Sequence, residues 1–357
     1  MKGLYAYFGL LDLHTIDSPG HSFYQLGLMD SICQEFGING LDFFSYYPEN
    51  EIKSTEYHNY PDTQLGKLFT EYLAQIVEKK EMDLEAVVKA IAKKEYKKLF
   101  LKARFRNLST LTKKWKDASY FEEIIDTAIH SGYAKEDIII LDTDLSLSDS
   151  FVKEYESRVT IKIPSIDFPG ISMSFLDKCI EIRKAEKSKE FGPVFYGNID
   201  TTNYKSGNAK SEMLGDVLTY FKNNARFVEE PFTIISKGSD IKSIDESVHT
   251  IDRRNRHLIW DELERKSIML NVTKAKYAER KFIPARIYEA LIFGMIPVSY
   301  DFEFLSNTFS FSTMADLNEI IRYLKECSQE DLTKAYLHFV NQYKEYEASR
   351  ILSITTK

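Results

Sequence analysis

Short runs of β-branched and aromatic residues alternate along the chain with longer stretches in which apolar positions recur at helical spacing. Residues 3–10 (GLYAYFGL) form the first β-rich run, ending in a polar loop. A helix is expected over 22–36, capped by Ser22 and stopped by Gly37. Residues 41–46 (LDFFSY) predict a second strand, closed by Pro48. Helical stretches over 63–80 and 84–94 lead to a strand at 99–102, a helix at 120–130 and a strong strand at 137–141 (DIIIL). One more strand is expected at 159–163, then a connector (PSIDFPG) and a polar helix over 175–187. The alternation then resumes, with strands at 193–197, 232–236, 267–272 and 296–299 and helices at 211–223, 283–293, 314–326 and 329–347. Strands alternating with helices predict parallel sheets with helices on both faces.

With 357 residues the chain is too long for one comfortable core and suits two domains. The composition shift near 165–190 sets the boundary, giving an N-terminal domain over 1–175 and a C-terminal one over 176–357, with the last helix able to return to the first domain. The expected fold class is α/β, with two Rossmann-like domains whose parallel sheets face an interdomain cleft. Ligands of such sheets bind at the C-terminal ends of the strands, beside helix N-termini.

Composition narrows the function classes. Charged residues make up 28% of the chain and are spread along it, which argues against disorder. No apolar run reaches membrane-spanning length, and the N-terminus lacks a basic start followed by an apolar stretch. Cys33, Cys179 and Cys327 are far apart and form no CxxC, as expected of free thiols in a reducing compartment and not of a structural zinc site. A cytoplasmic, monomeric protein without a membrane partner is the expectation. The net charge of −7 counts against DNA or an anionic membrane as a partner. Its distribution is uneven, however: Lys93, Lys94, Lys97, Lys98, Lys102, Arg104, Arg106, Lys113, Lys114 and Lys116 are opposed within their span only by Glu95, and Arg253, Arg254 and Arg256 form a second cluster. Such stretches are either solvated basic faces or contact surfaces for a polyanion.

The most informative stretch is FIPARIYEALIFGMIPV, residues 282–298. Pro284 suits the first turn of a helix, and Arg286 and Glu289 share one helix face near its start. That end carries partial positive charge and unbonded N–H groups, which suits a diphosphate. Arg286 adds a planar fork for phosphate oxygens, and Glu289 can accept two hydroxyls, as a ribose 2′,3′-diol offers. The bland alternative is a surface ion pair between the two, contributing ~0.3–0.5 kcal/mol. A second motif is Tyr196-Gly197-Asn198 followed by Tyr204-Lys205-Ser206-Gly207 and Lys210: a strand, a glycine turn and a basic loop before a helix. A third is Asp142-Thr143-Asp144, just past a strand end. A carboxylate there serves as a general base if burial raises its pKa, but Asp142 or Asp144 equally well caps the next turn, or forms a metal-binding D-x-D.

Read together, R-x-x-E-A-x-x-x-G-x-x-P-V resembles the donor-binding signature of two-domain (GT-B) glycosyltransferases. The runs VFYGN and YKSGNAKSEM with ARIYE resemble the T-even phage DNA β-glucosyltransferase family over most of the C-terminal half, and more faintly over the N-terminal half through Pro19 and Thr143-Asp144. The resemblance implies a UDP-sugar donor, with Lys205, Lys210 and Arg286 on the diphosphate, Glu289 on the ribose, and Gly197, Ser206 and Gly207 shaping the turn and loop. It implies Asp144 as the base that deprotonates the acceptor. His21, with Ser22 in the loop after the first strand, lies near the position of a catalytic glutamate in that family and is a candidate to assist. Mg2+ or Mn2+ is compatible with these motifs but not required by them. The implied acceptor is a 5-hydroxymethylpyrimidine, hydroxymethylcytosine first, in double-stranded DNA of a phage-infected bacterium. Lys102, Arg104, Arg106, Lys113, Lys114, Arg253 and Arg254 are then the candidate phosphate-backbone contacts. The insertion at 199–203 departs from the family, so the sugar is open between glucose and a pentose such as arabinose. Transfer to a cell-surface or capsular glycan, and a non-catalytic nucleotide-sugar-binding module, are the alternatives.

Overall fold

A computed structural model describes residues 2–8, 19–46, 60–77, 81–103, 119–142, 147, 149–185, 189–197, 213, 215–217, 219, 232–236, 248–252, 255–272, 282–300 and 309–355. The chain divides into two compact units, one of residues 1–60 and 67–172, the other of 61–66 and 173–357.

In the first unit, Lys2–Phe8 (β1) leads into helix Pro19–Phe36 (α1), then Leu41–Tyr46 (β2), Gln64–Val77 (α2, whose residues 64–66 fall in the second unit), Glu81–Met82 (β3) and Leu84–Ala92 (α3). Tyr96–Ala103 (β4), Ser119–His130 (α4), Ile138–Asp142 (β5), Asp149–Tyr155 (α5), Thr160–Lys162 (β6) and the short helix Pro164–Asp167 (α6) complete it. The sheet runs β3-β2-β1-β4-β5-β6, and every pairing is parallel. Strands buried along their whole length, such as β5, are what a sheet covered on both faces requires. One face packs Leu4, Leu99, Leu101, Ile138 and Ile140 against Val87 and Ile91 of α3 and Ile124 and Ile125 of α4. Helix α1 begins at Pro19, so His21 sits in its first turn and not in a loop. Gly37, at φ 68°, ends that helix with its N–H on the Cys33 carbonyl.

The second unit repeats the design. Met173–Ala185 (α7) precedes Glu190–Tyr196 (β7), Thr233–Ser236 (β8), His249–Asp252 (β9), Arg256–Arg265 (α8) and Lys266–Asn271 (β10). Ala285–Phe293 (α9), Ile296–Tyr300 (β11), Phe309–Phe311 (β12), Met314–Glu326 (α10) and Gln329–Thr355 (α11) follow. The sheet order is β12-β11-β10-β7-β8-β9, again parallel throughout. Counted from β7, this is the same order as in the first unit. Both sheets start at a central strand, build outward on one side, and return to build outward on the other. The chain is therefore an α/β protein with two Rossmann-like domains. Trp260 of α8 packs edge-on against Phe293 of α9, and the Tyr336 hydroxyl of α11 donates to the Leu291 carbonyl (2.6 Å), fixing α9 from both sides.

Candidate functional site

In a doubly wound sheet the strand order reverses between two central neighbours, and a crevice opens at their C-terminal ends. In the second unit those neighbours are β7 and β10. Arg286, the second residue of α9, reaches across this point. Its Nη1 donates to the carbonyl of Tyr196, the last residue of β7 (2.8 Å), and its Nη2 to that of Val272, just past β10 (3.1 Å). Nε points to the Asn271 side-chain oxygen at 3.4 Å. The guanidinium carbon lies 5.1 Å from the centre of the Phe195 ring. Asn271 in turn donates to Ser299 Oγ on β11 (3.2 Å), and both side chains are fully buried. The network thus ties the ends of β7, β10 and β11 to the start of α9.

Gly197 makes this arrangement possible. A Cβ at this position would stand 2.5 Å from Arg286 Nη1, so any side chain here displaces the guanidinium. Its own N–H donates to the Ile235 carbonyl on β8 (3.0 Å), holding the turn. Pro284 sits at the N-cap, one position earlier than a first-turn proline, and Gly294 ends α9 in the left-handed conformation (φ 65°). Glu289, one turn along the helix, is 2% exposed. The two do not form a simple pair on the surface: the arginine is held by the strand ends and the glutamate is buried. Burying a carboxylate is costly, which makes this glutamate a poor choice for an ordinary helix position. Sequence reading missed Asn271 and Ser299. The signal was there, since Asn271 is the one strongly polar residue in the buried run SIMLNV.

Gly197 and Arg286 are therefore brought together, with Glu289 one turn along the same helix. Lys205, Ser206, Gly207 and Lys210 lie outside the described residues, as do Asp144, Arg104, Arg106, Lys113, Lys114, Arg253 and Arg254. Asp142 ends β5 and is buried, with the Leu147 N–H donating to its Oδ2 at 3.5 Å. His21 is placed by its backbone alone, in the first turn of α1.

The basic stretch needs correction. Lys102 is 4% exposed within β4, so its ammonium is not presented to a DNA backbone. Lys97 and Lys98 are both held by Glu35 (3.2 and 2.9 Å), and Lys94 donates to the Gly132 carbonyl (2.9 Å). Glu35, remote in sequence, was invisible when only the charges between Lys93 and Lys116 were weighed. Among the described residues no group of three or more His, Cys, Asp or Glu side chains is arranged to hold a metal ion, and no helix is long and apolar enough to cross a membrane.

The sequence matches no protein-family model and no curated protein. Solved structures similar to the chain include a glycosyltransferase from Rickettsia africae, at 9% identity and a TM-score of 0.45, covering 99% of this chain and 98% of that one. A UDP-forming α,α-trehalose-phosphate synthase from Burkholderia vietnamiensis aligns at 8% identity and a TM-score of 0.45 over 100% of both chains. The ADP-heptose LPS heptosyltransferase II of E. coli aligns at 10% identity and a TM-score of 0.36 over 95% of this chain and 99% of that one.

Proposed function

We propose that this chain is a glycosyltransferase that binds a UDP-sugar at the switch point of its second unit. The observation that carries the reading is Arg286. A guanidinium clamped onto the ends of both switch-point strands, beside the start of a helix and under a glycine turn with no room for a side chain, is a preorganised receptor for a diphosphate. Glu289, buried one turn further on, is the ribose ligand in this reading.

In the reaction, the acceptor oxygen attacks the anomeric carbon and its proton passes to a carboxylate, for which Asp144 is the candidate. The bond from the anomeric carbon to the phosphate oxygen breaks, and UDP leaves with its new negative charge facing Arg286. Lys205 and Lys210 are the further cations proposed to share that charge. Mg2+ or Mn2+ bound to the diphosphate would supply additional charge stabilisation.

For the acceptor, the sequence resemblance supports a hydroxymethylated pyrimidine in double-stranded DNA, which must be unstacked to reach the anomeric carbon. A specific observation supports a second reading, transfer to a glycan: within the basic stretch Lys102 is buried, and Lys97 and Lys98 are paired with Glu35. The deciding experiment incubates the protein with hydroxymethylcytosine-containing DNA, unmodified DNA and a glycan panel, each with a set of UDP-sugars, and analyses the products by mass spectrometry. A glycosylated nucleoside only from the hydroxymethylated DNA supports the first reading, and a glycan product the second. Asp144→Asn should abolish turnover while UDP affinity stays within about twofold. UDP binding with no product on any acceptor would leave only a nucleotide-sugar-binding module.

A further inference from the structure

We propose a second anion site in the same unit, at the opposite edge of the sheet from Arg286, that binds a phosphate group, either as inorganic phosphate or on a small phosphorylated metabolite. This inference is independent of the sugar-transfer reading.

Where β10 and β11 begin, a cavity of about 320 Å3 lies between the strand starts, the last turn of α7 and the first turns of α11. That volume is at the small end of ligand pockets and fits a phosphomonoester better than a nucleotide. Ser267, the second residue of β10, lines it. The side chain is 3% exposed, and its buried Oγ has no hydrogen-bond partner. A buried hydroxyl in that state is uncommon and calls for a partner.

Cations outnumber carboxylates around this cavity. Arg183, Lys184, Lys189 and Lys334 line the cavity, against a single carboxylate, Glu330. Glu330 is exposed at the rim and already paired with Lys334 (2.8 Å). Arg183 has a 5% exposed side chain, and its Nη2 is 3.8 Å from Glu264. It runs directly over Gly294, where a Cβ would stand 2.8 Å from its Cδ. Gly294 therefore serves both the end of α9 and the passage of this arginine. Lys189 is anchored by donating to the carbonyls of Leu263 (3.0 Å) and Lys266 (2.9 Å).

One wall is the start of α11, a helix of 27 residues. The first N–H groups of a helix have no intrahelical acceptor and favour an anion. Gln329 fixes this start in place, its side-chain amide donating to the Lys189 carbonyl (2.7 Å). Cavity, unsatisfied hydroxyl, cationic wall and helix start thus converge, and the chemistry they share is that of a phosphate dianion.

The test is isothermal titration with inorganic phosphate and, separately, glucose 6-phosphate, on wild type, Lys334→Gln, Ser267→Ala and Arg286→Ala, with the fold of each confirmed by circular dichroism. Lys334 is exposed and Ser267 loses only a hydroxyl, so both variants should fold. Saturable binding of either probe is expected, about tenfold weaker in Lys334→Gln and in Ser267→Ala, and unchanged in Arg286→Ala or in the presence of UDP. Tighter glucose 6-phosphate than phosphate identifies a metabolite as the source, and equal affinity identifies free phosphate. The proposal is overturned by an absence of saturable binding for both probes, by wild-type affinity in both cavity variants, or by loss of binding in Arg286→Ala.

Discussion

At the scale of single residues, the candidate donor site rests on the fit between Gly197 and Arg286. Gly197→Ala should push the guanidinium off the Tyr196 carbonyl, lowering stability by about 1 kcal/mol and UDP affinity about tenfold. Arg286→Lys should not rescue function, because a point-charge ammonium cannot span two carbonyls on different strands. Urea unfolding and UDP titration of the two variants check both statements, and wild-type behaviour in Gly197→Ala would show that the clamp is dispensable. A second residue-scale prediction concerns Glu35. Partial burial pushes its carboxyl up, but hydrogen bonds from Lys98 and Lys97, with their charges, outweigh this and hold it below the ordinary 4.5. A carboxylate lowered in the folded state contributes stability that is full above that ordinary value and is lost as pH falls through the folded value. Glu35→Gln should therefore flatten the acid side of the stability profile, measured by chemical denaturation at a series of pH values, and leave its slope above neutrality unchanged. Arg286 and Glu289 were legible in the sequence because their spacing, the proline before them and the glycine after them all constrain one helix. Asn271 and Ser299 were not, because their partnership joins two strands 28 positions apart. The lysines misled for the same reason: Glu35 lies 62 and 63 positions from its two partners.

At the scale of elements, the periodic segments were read well, but among the brief ones only some, such as β6 and β8, were anticipated. Residues 41–46 and 314–326 were anticipated to the residue, and helix α9 to within two positions, since a long apolar face or a continuous buried strand repeats its signal. Strands β3, β9 and β12, of two, four and three residues, are too short to repeat anything. Helix α8 (RHLIWDELER) was missed because charges dominate its composition, although Ile259, Trp260 and Leu263 bury one face. Helix α5 was hidden behind the strand-end motif that drew attention to Asp144. Helix α1 offers the clearest element-scale prediction. A Cβ on Gly27 would stand 2.2 Å from the Pro169 carbonyl oxygen, so this helix packs backbone to backbone on the segment after α6. Gly27→Ala should destabilise the chain by about 1–3 kcal/mol despite the better helix propensity of alanine, as measured by urea unfolding. A gain in stability would mean that the helix is free to move away.

At the scale of the whole molecule, one winding order occurs twice, and this makes the site intelligible. Each sheet reverses direction once, between β1 and β4 in the first unit and between β7 and β10 in the second. Alternation of strands and helices made two parallel sheets legible, but strand order depends on pairings between distant segments that no local pattern encodes. Segment 61–66 illustrates the same limit. It lies within the first half of the sequence yet belongs to the second unit, where Thr63 donates to Glu264 on α8 (3.0 Å). The central claim is that the reversal point of the second sheet receives the diphosphate of a nucleotide-sugar. Calorimetric titration of UDP into the wild type and Arg286→Ala tests it most directly. The account predicts saturable one-to-one binding to the wild type, weakened at least tenfold in the variant while the fold is retained. Equal affinity in the two proteins, or no heat of binding in the wild type, would contradict it.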